Sequence, residues 1–275
     1  MKPKLLNKIL VSNIALKLPK IILRKIFKKY KIYFVPTTLS NIPDNNYKIS
    51  SSFEFQEQLI KQFNDSKPNK LISFNTLPHI NQIIKLLFKQ PDLKFNFLDF
   101  GGENIDLYLY LKKHFKNINY FISNQSHINE SYIKLKSKYN LENFTILNNI
   151  DELTKYEYDF VNFGGVIQYI NNYDYILKEI LKVSKKYIFF SATHFYENKI
   201  SPLEKIVVKE TNLIHILPIN IYCYFFNFDI FMKPFLQENF SIIFKENNVY
   251  GDVNYRNFDN LFKRTNYMDL LLSKN

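Results

Sequence analysis

From Phe95 onward, short apolar runs alternate with segments of helical period. That alternation predicts strands at Phe95–Phe100, Tyr120–Ser123, Phe144–Asn148, Phe160–Phe163 and Tyr187–Ser191. Helices are expected between them, at Ile105–Phe115, Ile128–Lys138 and Asp174–Val183. Strand–helix alternation of this kind points to an α/β fold with a parallel sheet and crossover helices. An irregular apolar insertion is expected next, then a helix at Ile230–Glu238 and two closing strands at Phe240–Lys245 and Tyr267–Leu272. Upstream, Phe53–Phe63 and Pro78–Lys89 read as helices, and Thr37–Ser52, with Pro36 before it and Pro43 within it, as a loop or linker.

Residues 14–30 form a separate pattern. Leu18, Ile22, Ile26 and Tyr30 recur every four residues, while Lys20, Arg24, Lys25, Lys28 and Lys29 fall largely on the other side. Pro19 suits the first turn. Such a helix can pack on the core with a solvated basic face, or lie on an anionic lipid surface, where each Lys or Arg adds about 1 kcal/mol. The broad apolar face favours lipid over RNA phosphate. The domain expectation is a basic helix and linker over 1–52 and an α/β domain over 53–275, with its cofactor half at 90–195 and an insertion plus closing strands at 196–275.

Charge sharpens this division. Ten basic residues, Lys2 through Lys31, precede the first acidic residue, Asp44, against a formal net charge of +12 for all 275 residues. The positive charge is therefore local, and nucleic acid is not an expected partner. Cys223 is the single cysteine, so no internal disulfide forms and a reducing compartment fits. His79, His114, His127, His194 and His215 show no ligand-like spacing, and no metal is expected. The apolar tract Leu213–Phe235 is broken by His215, Pro218, Asn220, Asn227, Asp229 and Lys233, so no membrane span is expected. Within that tract, Leu213–Phe231 is aromatic enough for an acceptor lid, a dimer surface or core, with core favoured. Ile9–Leu16 is interrupted by Ser12 and Asn13, which argues against a secretory signal, and the expected location is cytoplasmic.

The candidate chemistry sits just past strand ends, on one rim of the sheet. Asp99-Phe-Gly-Gly-Glu-Asn104 places Gly101 and Gly102 where backbone can turn sharply and approach a ligand. Asn124, in Ser123-Asn-Gln125, follows at the interval where such folds present an acid to ribose hydroxyls. Asn148-Asn149 suits an adenine edge. Phe163, Gly164 and Gly165, with Gln168 and Tyr169, would face the reacting end of a cofactor. His194 is the candidate proton acceptor, with Tyr169 second.

Leu98-Asp-Phe-Gly-Gly102, Tyr158-Asp-Phe-Val-Asn-Phe-Gly-Gly-Val-Ile-Gln-Tyr-Ile170 and Lys186-Tyr-Ile-Phe-Phe190 together resemble class I S-adenosylmethionine-dependent methyltransferases. More narrowly, they resemble a methyltransferase group encoded among bacterial surface-polysaccharide genes. Leu18–Arg24 and Leu217–Tyr222 are similar to that group's start and late insertion. The resemblance implies a Rossmann-like, mostly parallel sheet of about seven strands, with helices on both faces and an N-terminal helical extension. It implies S-adenosylmethionine as cofactor, with Asp99, Gly101, Gly102 and Glu103 at its methionine and ribose portion, Asn124 at the ribose and Asn148 near adenine. Gln168 and Tyr169 would border the acceptor pocket. The acceptor implied is a sugar or lipid-linked glycan precursor, handled at the inner membrane face. The chain departs from the pattern at Glu103, a usual glycine position, at Asn124, a usual acid, and at Ser191–His194, which replaces an Asp-Arg-Thr-Pro element. A non-catalytic scaffold on the same fold is the alternative, and an RNA methyltransferase stands third.

Overall fold

The computed structural model describes residues 32–43, 53–64, 84, 87–89, 92–198, 201–212, 219–247, 253–254 and 266–275. The basic helix expected over 14–30 lies outside the described residues, as do the linker beyond residue 43 and most of the helix expected over 78–89. In chain order the elements begin with β1 (Ile32–Pro36), α1 (Phe53–Asn64), β2 (Phe95–Phe100), α2 (Asp106–His114), β3 (Ile118–Ser123) and α3 (Ser126–Tyr139). β4 (Phe144–Leu147), α4 (Ile150–Leu153), β5 (Tyr158–Asn162), α5 (Tyr173–Val183) and β6 (Ser184–Tyr196) follow, with a 3-10 turn at Ile167–Tyr169. The remainder is β7 (Lys205–Asn212), β8 (Ile219–Asn227), α6 (Phe228–Gln237), β9 (Phe240–Asn247), β10 (Val253–Asn254) and β11 (Asn266–Lys274).

Seven strands form the main sheet in the order β4-β3-β2-β5-β6-β11-β9. The first five run parallel, and β11 lies antiparallel between β6 and β9. Strand order reverses beside β2, and ligands of open α/β sheets bind at such a switch point, outside the carboxyl ends of the strands.

Alternation along β2 explains why both faces are covered. Phe95 and Phe97 join Tyr120, Ile122 and Phe160 under α1, α2 and α3. Leu98 joins Phe121, Val161, Ile188 and Phe190 under α5 and α6. Phe97 stacks on both Tyr120 and Phe160, with ring centroids 5.4 and 5.2 Å away. These aromatic ladders across three parallel strands pin their register.

The insertion expected to be irregular is instead a β-hairpin. β6 runs 13 residues, well past its pairing with β5, and its end, Phe195 and Tyr196, pairs in parallel with Phe226 and Asn227 of β8. β8 pairs antiparallel with β7, β7 antiparallel with β1, and β1 parallel with β10, giving 11 strands among the described residues. Residues 221, 223, 224, 225 and 226 of β8 are all buried, so among the described residues β8 shows no polar face to betray it by alternation.

Candidate functional site

The bend after β2 is built from constraints that exclude other residues. Gly101 adopts φ +79°, and a Cβ there would lie 2.7–2.9 Å from Cγ2, Cγ1 and Cβ of Val166. A Cβ on Gly102 would fall on the Asp99 carboxylate, 2.6 Å from its Cγ. Gly101 N–H donates to the Ser123 carbonyl (2.7 Å), and the Gly102 carbonyl accepts from Asn124 Nδ2 (2.6 Å) and Tyr132 Oη (3.1 Å). Gln56, buried on α1, donates through Nε2 to the Glu103 carbonyl (2.7 Å), and its Oε1 accepts from Ile105 N–H (2.8 Å). The loop is thus clamped from α1 and α3, with small residues at its apex.

Two carboxyl groups are held beneath it. Asp99 accepts from Tyr120 Oη (2.5 Å) and Asn162 Nδ2 (2.8 Å), yet burial outweighs both and pushes its carboxyl up to about 6. Asp106, at the start of α2, is pushed up to about 7, first by burial and then by the neighbouring Asp99 and Glu103 charges. An incoming cation would relieve this concentration of negative potential.

Asn162 ties this loop to the next. While its amide nitrogen serves Asp99, its Oδ1 accepts from Gly164 N–H (3.0 Å). Gly164 adopts φ +50°, and a Cβ there would meet nothing within 4 Å, so the rim is open at this point. Gln168 is buried, with Nε2 donating to the Ala192 carbonyl (2.9 Å) and Oε1 lacking a partner. Ala192 itself adopts φ +50° in a bulge of β6, where Asp269 Oδ1 accepts from Ser191 Oγ (2.9 Å) and Ala192 N–H (2.8 Å). A non-glycine residue in this conformation costs about 1–2 kcal/mol, and such strain concentrates at functional sites.

Among solved structures, the N-terminal domain of EvdMO1, crystallised in the presence of S-adenosylhomocysteine and D-fucose, matches with a TM-score of 0.50 at 11% identity. That match covers 86% of this chain and 98% of the other. The 1,6-didemethyltoxoflavin-N1-methyltransferase of Burkholderia thailandensis, with 1,6-didemethyltoxoflavin and S-adenosylhomocysteine bound, matches with a TM-score of 0.51 at 9% identity, covering 88% of this chain and 94% of that one. This chain has the fold of an S-adenosylmethionine-dependent methyltransferase. No family model and no curated protein sequence matches it.

Within this methyltransferase fold, Asp99, Gly101, Gly102, Glu103, Asn124 and Gly164 share the rim around the bends after β2, β3 and β5. Asn148 is exposed after β4, where its N–H and Nδ2 donate to Glu152 Oε2 (2.8 and 3.2 Å) as part of the cap of α4. Three expected roles need correction. The Phe163 side chain does not border a ligand: it is fully buried, stacked on Phe190 at 4.9 Å and packed on Phe100. His194 lies inside the fold, stacked on Phe225 at 4.3 Å, and burial holds its imidazole down at about 3, so it is a poor proton acceptor near neutrality. Tyr169 Oη donates to Glu210 Oε2 (2.8 Å), and burial pushes the phenol well above its ordinary range. Gln56, Asp106, Asn162 and Asp269 were not expected. An acid one position into a helix that follows a glycine turn was the one available signal, and it marked Asp106.

Proposed function

We propose that the chain transfers the methyl group of S-adenosylmethionine to a sugar or lipid-linked glycan precursor used in surface-polysaccharide assembly, on the cytoplasmic side of the membrane. The observation that carries this reading is the convergence of a clamped glycine bend, buried carboxyl groups raised toward neutrality, and an open position at Gly164 on one sheet rim. These residues fit the cofactor, because the open position at Gly164 leaves room on the rim and the carboxyl groups under the bend favour a cationic ligand. When bound, S-adenosylmethionine supplies a methyl carbon that passes to an acceptor heteroatom while sulfur keeps the electron pair of the broken bond.

In this reading Asp99, Glu103 and Asp106 attract the cationic ammonium and sulfonium end, Asn124 meets ribose hydroxyls, and Asn148 lies by adenine. Gly164 admits the acceptor, and the unpartnered Gln168 Oε1 takes a hydrogen bond from its hydroxyl, aligning it for attack. With His194 a weak base, the rate derives from alignment more than from proton abstraction. The sugar assignment is supported by the D-fucose present with EvdMO1, which belongs to that protein, and by the sequence resemblance. No helix among the described residues is long and apolar enough to cross a membrane, and the proposed peripheral contact rests on residues 14–30.

Titration calorimetry tests the first step. Binding of S-adenosylmethionine with a Kd of about 1 µM to 1 mM is expected, and absence of heat at millimolar cofactor rejects the proposal. A silent scaffold is the second reading, favoured by Asn124, whose amide is already engaged by the Gly102 carbonyl. Asn124→Asp separates the two. A charged acceptor strengthens a hydrogen bond by roughly 1 kcal/mol, but aspartate cannot donate to the Gly102 carbonyl, so cofactor binding is expected to tighten by at most about 5-fold. An unchanged Kd favours the scaffold.

A further inference from the structure

Three side chains that methyl transfer does not use converge inside the added strands. His194 comes from β6, Glu210 from β7 and Cys223 from β8. All three are buried, and their imidazole nitrogen, carboxylate oxygen and sulfur lie within 4.8 Å of one another. Strand register brings this about. Val208 pairs with Cys223 and Glu210 with Ile221, so Glu210 and Cys223 are diagonal neighbours on one face of the hairpin. The pairing of Phe195 with Phe226 carries β6, and with it His194, against the opposite edge of β8.

The surroundings are apolar and aromatic. Phe34, Tyr196, Val208, Cys223 and Phe225 form one apolar cluster, and the His194 ring is flanked by Phe225, by Phe34 at 4.9 Å and by Tyr267 at 4.5 Å. Thiolate, carboxylate and neutral imidazole are the forms that ligate, so binding a metal here displaces the carboxyl and thiol protons.

We propose that His194, Glu210 and Cys223 bind one divalent transition-metal ion of zinc type, with Tyr169 orienting the Glu210 carboxylate. One thiolate, one imidazole and one carboxylate is a borderline-soft donor set that suits zinc and disfavours magnesium or calcium. Zinc–ligand bonds of about 2.0–2.3 Å place ligand atoms under about 4 Å apart, so loading needs only small side-chain adjustments between strands that are already paired. Binding releases the carboxyl and thiol protons to solvent. Tyr169 supplies the outer hydrogen bond that ligating carboxylates generally receive, 2.8 Å from Glu210 Oε2. The site closes the hairpin onto the end of β6, and it does not depend on the methyl-transfer reading.

The test loads the full chain with zinc, removes loosely held ion by gel filtration with a weak chelator, and measures metal by mass spectrometry. About one zinc per chain is expected. Cys223→Ser and His194→Gln should retain none, while Tyr169→Phe should weaken affinity about 10–100-fold. Cobalt loaded in place of zinc should give a thiolate-to-cobalt charge-transfer band. That band is read on the unaltered chain, so a variant that misfolds does not shelter the proposal. Cobalt without a thiolate band, or zinc retained no better than by Cys223→Ser, overturns it.

Discussion

Gly101→Ala is expected to destabilise the fold by about 3 kcal/mol and to abolish cofactor binding. Two independent costs add at this position. The backbone sits at φ +79°, where any residue with a Cβ pays about 1–2 kcal/mol. The new methyl would also lie 2.7–2.9 Å from three atoms of Val166, and overpacking of that kind costs about 1–3 kcal/mol. Gly164→Ala is the internal control, since φ there is +50° but a Cβ meets open space. It should cost only the conformational part, about 1 kcal/mol. Adding Val166→Ala to Gly101→Ala should recover about 1 kcal/mol beyond additivity, because two of the three clashing atoms disappear. Urea unfolding reads all five proteins, the Val166→Ala single variant completing the cycle. If Gly101→Ala is no more harmful than Gly164→Ala, Val166 does not rest on the bend and the cradle has another shape.

That bend was legible from residues 95–102 because every cue there was local. Apolar residues on both faces of β2, an acid at its end and a glycine pair leave few alternatives to a strand-to-helix turn. The same holds for β5, whose Asp-Phe-Val-Asn run precedes the second glycine pair. The fold beyond the main sheet was harder to read. β7 and β8 carry buried Glu210, Thr211 and Asn227, and a buried polar residue in a short segment looks like a loop until its partner is known. β1 was not expected, and Thr37–Ile42 after it was read as linker because Pro36 and Pro43 flank it, yet Ile42 is buried and its N–H donates to Tyr224 Oη, 182 residues away.

The site divides along the same line. Asp99, Gly101 and Gly102 share one short stretch, so adjacency in sequence was enough. Gln56 reaches the loop from α1, Asn162 links two bends across neighbouring strands, and Asp269 supports Ala192 from the far end of the chain. The histidine spacing and the single Cys223 argued against a metal, an argument that does not reach ligands on three paired strands, which need no common interval. Phe163 and His194 were misjudged for one reason. Position after a strand end says nothing about which face a side chain takes, and both turn into aromatic packing.

Asp106→Asn is expected to raise stability near neutral pH by up to about 4 kcal/mol while weakening the cofactor. Burial and the charges of Asp99 and Glu103 raise the Asp106 carboxyl from 3.8 to about 7 in the folded chain. Between those values the native state keeps a proton that the unfolded chain has released. Stability from this group is therefore full below about pH 4 and falls as pH rises toward 7, at about 1.4 kcal/mol per pH unit over roughly three units. Asparagine carries no such proton, and its side-chain oxygen can still accept the 3.0 Å bond from Leu107 N–H. The variant should match the parent at about pH 4, exceed it near pH 8, and have the flatter stability profile. Asp99, raised to about 6, contributes the same sign of slope in both proteins, but its slope is smaller in the variant because the neighbouring charge that couples to it is gone. A bound ammonium or sulfonium reverses the preference by favouring the ionised carboxylate. Cofactor binding by the parent should accordingly strengthen as pH rises through 6 to 7, and the variant should lose part of that gain. A stability difference between the two proteins that does not change with pH would mean that Asp106 is solvated, and the negative potential proposed to draw the cofactor into the bend would go with it.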